Sequence, residues 1–174
     1  MSDQPAPSKA EALKILRTGD RAVRSLLDRM PARALTAPGI GGGEWSPKEL
    51  IAHLAFWERC ALEALDAWER GDRAPIDRLL HSQSLSKTNA DGLALMSKGS
   101  LAQVRKRSDQ AHDELLTRLR AMPTRRWNAP ATPRSRRSLG ERVGSILGGP
   151  GGHYRHVDAH LPDLRAFVEG HAAG

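Results

Sequence analysis

Residues 45–71 read WSPKELIAHLAFWERCALEALDAWERG. Ser46 stands as an N-cap, Pro47 takes the first helical position, and Glu49 completes a capping box. Trp45 and Leu50 fall where a hydrophobic staple places them. Leu50, Leu54, Trp57, Ala61, Leu65 and Trp68 then recur at three- and four-residue intervals, the period of one helical face. Gly71 stops the run. The spacing predicts a helix from Pro47 to about Arg70. Inside its apolar stripe stands His53, and a histidine on a buried face needs partners for its ring nitrogens.

The same period extends in both directions. Upstream, Leu13, Leu16, Val23, Leu27 and Met30 predict a first long helix that Pro31 ends, with Asp20 its one polar interruption. Residues 1–8 are rich in Pro and Ser and are expected to be flexible. TAPGIGGGEW, residues 36–45, is a loop by composition. Downstream, Pro75 opens a short helix through Leu80, and a weaker helical stretch covers residues 84–97. Leu101, Val104, Ala111, Leu115, Leu119 and Met122 mark a third long helix, closed by Pro123.

PTRRWNAPATPRSRR, residues 123–137, is a basic, proline-punctuated connection, read as an exposed loop or as a contact for phosphates. SLGE opens a fourth helix at about residue 139. GGPGG, residues 148–152, is expected to kink it before it resumes through HYRHVDAHLPDLRAFV. Neither strand-like alternation nor an internal repeat is present. These features predict an all-α, four-helix bundle over residues 9–170, with short extra helices between the second and third long ones.

Bulk composition narrows the setting. A chain of 174 residues suits one domain. No apolar run approaches the roughly 20 residues that cross a bilayer. The N-terminus lacks the apolar core of a secretory signal. With Cys60 as the one cysteine, no internal disulfide can form, and a reducing cytoplasm is expected. Cys60 lies among alanines and leucines and is read as packing. A formal charge of +7 favours anionic partners, including non-specific contact with DNA, although Arg-rich composition alone also accounts for it. No zinc finger or aromatic nucleic-acid platform is present. GGPGG lacks the preceding strand and following Lys-Ser/Thr of a phosphate cradle.

The last helix carries the chemistry. His156 and His160 are four residues apart and so lie on one helical face, one turn from each other. Two imidazoles so placed can reach one cation. His153 falls on nearly the same face one turn earlier. Val157, Leu161, Leu164 and Val168 form the apolar stripe that the pair borders. With His53 from the second helix, three neutral imidazoles and an open fourth position suit Zn, Ni or Fe. Tyr154, the sole tyrosine, adjoins the cluster and is read either as a proton donor or as an amphipathic end-of-helix residue. His112, on the third helix beside Ala111 and Leu115, is a spare candidate with a structural or surface role as its competing reading.

GEWSPKELIAHLAFWERCALEALDAWERGD, followed far downstream by HYRHVDAHLPDLRAFV, resembles the DinB-like four-helix-bundle superfamily, and within it the colibactin self-protection branch. The similarity runs from about Lys9 to Phe167. It implies an up-up-down-down bundle, often dimeric. In metal-binding members, one His of the second helix and a pair on the last form the site, which here means His53, His156 and His160. Not every member of the self-protection branch is expected to need a metal. Relatives run straight through the segment occupied here by GGPGG; a one-turn shift there would put His153 in the place of His160.

The expected function is a cytoplasmic self-resistance hydrolase that opens a strained electrophilic ring (cyclopropane, aziridine or epoxide) of a DNA-alkylating metabolite. His53, His156 and His160 would hold a divalent metal or act as general bases, with Tyr154 assisting, and Trp57, Tyr154 and His153 would line the substrate pocket. The alternatives are a metal-dependent transferase using a low-molecular-weight thiol, and a non-catalytic protein that protects by binding drug or DNA.

Overall fold

A computed structural model describes residues 7–172. The described residues are all-helical, as predicted. Most of the segment expected to be flexible, residues 1–6, lies outside them. Four long helices dominate: α1 (Lys9–Leu27), α2 (Pro47–Glu69), α5 (Leu101–Ala121) and α8 (His156–Ala172). Between α2 and α5 run α3 (Pro75–Ser82) and α4 (Leu85–Met96). Between α5 and α8 run α6 (Thr124–Asn128) and α7 (Leu139–Ile146). No helix among the described residues is long and apolar enough to cross a membrane.

Local chemistry fixes the starts. Ser8 with Glu11, Ser46 with Glu49 and Ser100 with Gln103 each close a reciprocal capping box on α1, α2 and α5. α2 packs on α5 and α8, and α1 packs on α8 and α5, so the four long helices close a ring. One apolar cluster includes Leu65, Leu115, Leu119, Leu139 and Val143. Another includes Val23, Leu50, Val104, Leu164 and Val168.

Three expectations need correction, and all concern residues 123–155. The basic connection is not wholly a solvated loop: Thr124–Asn128 forms a helical turn and buries Trp127. GGPGG does not kink a continuous helix but ends one, since α7 stops at Ile146 and α8 starts at His156. α7 lies on α2 and α6, whereas α8 lies on α1. Within the break, Gly149 and Gly152 exchange backbone hydrogen bonds of 3.1 and 2.9 Å, and Gly152 has a φ of +107° that a side chain would strain.

His153 and Tyr154 therefore precede α8 and do not share its histidine face. Tyr154 is buried with a φ of +65°, an outlying conformation for an aromatic residue. Packing and hydrogen bonds hold it there. Its N–H donates to the Gly144 carbonyl at 3.1 Å, its hydroxyl donates to the Gly140 carbonyl, and its ring stacks on Trp127 with centroids 5.8 Å apart. Tyr154 thus anchors the turn that leads into α8.

Candidate metal centre

Three imidazoles converge between α2 and α8. His53 extends from the apolar stripe of α2 and is buried; His156 and His160 occupy successive turns of α8 and are half-buried. The start of α8 is fixed by the His156 N–H, which donates to the Leu147 carbonyl at 3.0 Å. His53 Nε2 stands 3.0 Å from His156 Nε2, and His160 Nε2 stands 3.3 Å from the same atom. The nearest ligand nitrogens of the trio all lie within 4.8 Å of one another. The rings meet edge to face, at 74°, 81° and 68°, as rings do when each aims an edge at a shared point.

Two hydrogen bonds cannot explain this arrangement. A neutral imidazole nitrogen offers one lone pair or one N–H, so His156 Nε2 cannot pair well with both neighbours. A cation shared by the three rings would resolve the conflict. Nitrogens about 2.0–2.1 Å from one ion stand about 3.0 Å apart in octahedral and about 3.3 Å apart in tetrahedral coordination. The separations of 3.0 and 3.3 Å both fall within the spacing that nitrogens sharing one ion adopt. Ligation through Nε2 puts the His53 proton on Nδ1, a buried atom without a hydrogen-bond partner among the described residues.

The electrostatics keep all three rings in the ligating form. Burial, then the neighbouring rings of His156 and His160, push His53 down to about 3. Burial, then His160, push His156 down to about 4. Burial also lowers His160, against a small upward pull from Asp163. Neutral imidazole is the species that binds a metal ion.

The trio opens onto a cavity of about 600 Å³. Trp45 and Trp57 wall it next to the histidines, with ring centroids 4.9 Å from His53 and 6.1 Å from His156. Trp57 Nε1 donates to Asn89 Oδ1 of α4 at 3.1 Å, which satisfies the indole and fixes its ring. Trp57 therefore lines the cavity. Tyr154 and His153 are not among the lining residues; the Tyr154 hydroxyl is committed to Gly140, and burial raises its pKa well above the ordinary value. Neither residue joins the histidine cluster, and His160 keeps the place that a register shift would have given to His153.

The cavity also includes Asn89, Arg137 and Arg142, which sequence reasoning did not assign. Arg137 closes the basic connection, where its charge was visible and its direction was not. Asn89 sits in the weakly patterned α4, with no signal of its own.

His112 lies elsewhere. Its Nδ1 is 2.7 Å from Glu58 Oε1 and its Nε2 is 3.7 Å from Asp20 Oδ2. This accounts for the polar interruption in α1. Burial disfavours the imidazolium, but the Glu58 carboxylate outweighs it and raises the His112 pKa. Cys60 is buried, and burial pushes its thiol up to about 12, as a packing residue requires.

The model of the family described as the DinB superfamily matches residues 15–157, a span that includes His53 and His156 and ends before His160. The chain is also similar in structure to an uncharacterised protein from Escherichia coli UTI89, known from a crystal structure. The two are 13% identical over 95% of each chain, with a TM-score of 0.73; at that identity the likeness bears on the fold alone. No curated protein matches the chain.

Proposed function

The chain belongs to the DinB superfamily, and from that premise we propose that it is a divalent-metal-dependent hydrolase that opens the strained ring of an electrophilic metabolite. The observation that supports this reading is the convergence of three neutral Nε2 atoms on one point beside a roomy cavity. A Zn, Ni or Fe ion held by His53, His156 and His160 supplies Lewis acidity and an activated water when bound. Trp45 and Trp57 shield the three rings and give an apolar body a surface to lie on. Across the reaction, the oxygen of water bonds to a ring carbon, the strained bond breaks, and a proton passes to the atom released. The self-protection branch suggests a cyclopropane, aziridine or epoxide on a DNA-reactive molecule as the ring.

The test is turnover of a panel of aryl epoxides, aziridines and activated cyclopropanes, followed by mass spectrometry for addition of one water. Zinc-loaded protein is expected to yield the ring-opened product, and chelator-treated protein and His156→Ala are expected to lose it. Absence of a water adduct across the panel would remove the hydrolase reading. A transferase that uses a low-molecular-weight thiol is the second reading, favoured by a cavity large enough for two reactants. It predicts thioether products that appear only when thiol is added.

A further inference from the structure

The charges around the cavity are not balanced, and the imbalance is local to one residue. Asp77, Arg137 and Arg142 line it. Arg142 is ion-paired with Asp77 and lies over the Trp68 ring, 5.3 Å from its centroid. These two charges cancel. Arg137 differs. Its Nη1 donates to Ser145 Oγ at 3.1 Å. Its Nε is 4.0 Å from the Glu141 carboxylate, in a pair whose side chains are 40% and 33% exposed, and such a pair contributes little. Its Nη2 has no partner among the described residues.

Its backbone, by contrast, is held. The Arg137 N–H donates to Ser135 Oγ at 3.1 Å, and its carbonyl accepts from Ser135 Oγ at 2.8 Å and from the Ala131 N–H at 3.2 Å. The result is a guanidinium on a pinned turn, facing the same cavity as the three histidines. A second observation concerns the mouth. Leu80 and Leu85 line the cavity yet stay 42% and 56% exposed. Together with Trp45 and Trp57 they leave apolar surface for a ligand to cover.

We infer that this cavity takes a molecule with an apolar body and one terminal carboxylate, and that Arg137 is the residue that selects the carboxylate. Arg137 is the lining cation with no lining carboxylate beside it and only a weak pair to Glu141, which matches one negative charge, and a guanidinium suits a carboxylate. The body lies across Trp45, Trp57 and the two leucines. This substrate class rests on the proposed function above, because it places the reacting part of the molecule beside His53, His156 and His160.

The experiment uses two probes that share one apolar body and differ in the head group, the carboxylate of 6-phenylhexanoate and the neutral amide of 6-phenylhexanamide. Calorimetric titration is run on wild-type protein, Arg137→Gln and Arg137→Lys, each with and without saturating zinc. Wild type is expected to prefer the acid by about tenfold or more in both conditions. Arg137→Gln is expected to bring the two probes within about twofold, and Arg137→Lys to keep part of the preference. Melting temperatures check that the variants fold. Equal binding of acid and amide by wild type overturns the inference, and so does failure of both to bind. A preference that survives Arg137→Gln, or one that needs zinc, also overturns it, because the carboxylate is then held elsewhere. Zinc stoichiometry from the same samples reads the metal centre separately, so loss of that reading leaves the Arg137 comparison in metal-free protein still decisive.

Discussion

Burial first, and then the crowding of the neighbouring rings, hold His53 and His156 neutral, and the acid behaviour of the protein follows from that. Folded, His53 and His156 hold protons only below about 3 and 4; unfolded, an imidazole takes one at about 6.5. Their folded values are depressed, so the stability they confer is complete above pH 6.5 and is lost as pH falls through about 4 and then about 3. Urea denaturation of metal-free protein at pH 7, 6, 5 and 4 should show this decline. His53→Phe should flatten it by about one proton between pH 4 and 6; an unchanged slope would refute the assignment. His53 could be picked out in the sequence because a lone polar residue inside an apolar stripe has few other places to point. His153 and Tyr154 could not, because their direction depends on where the last helix starts, and no residue in GGPGGHYRH states that start. Arg137 was visible as a charge, but an arginine in a proline-punctuated loop gives no direction without the turn that holds it.

The element that controls the site's geometry is the α7–α8 junction. A Cβ on Gly144 would stand 2.6 Å from the Tyr154 ring, so α7 approaches that ring as only glycine allows. Gly144→Ala should push Tyr154 out of its socket, cost about 1–3 kcal/mol, and weaken zinc binding because the start of α8 moves with Tyr154. Gly170→Ala makes the contrast: nothing lies within 4 Å of its Cβ, and the change should add roughly 0.5–1 kcal/mol to stability. Chemical denaturation with parallel zinc titration checks both. The long helices were legible because the apolar period holds over 19 to 23 residues in α1, α2 and α5, and a capping box marks the start of α2. α6, with 5 residues, is too short for a period to register, and its buried Trp127 was hidden among arginines. α8 runs through Pro162, a residue that by itself argues for a break.

Across the whole molecule, the histidine trio joins α2, which supplies residues to both apolar clusters, to α8, which supplies the second of them. Leu164, fully buried one turn beyond His160, belongs to the same packing. Leu164→Ala should cost about 2–5 kcal/mol in urea denaturation of metal-free protein. Zinc at 100 times its dissociation constant should return about 2.7 kcal/mol through binding to the folded state. The fold class and the trio could both be read from sequence because each depends on spacing within helices. The cavity's charge balance could not, since the Asp77–Arg142 pair joins residues 65 positions apart. Zinc titration of the chelator-treated protein, with metal content measured after dialysis, tests the centre most directly. The account predicts one zinc per wild-type chain and an affinity more than about 100-fold weaker in His156→Ala. A wild-type chain that retains no zinc, or a His156→Ala chain that retains as much, would contradict it.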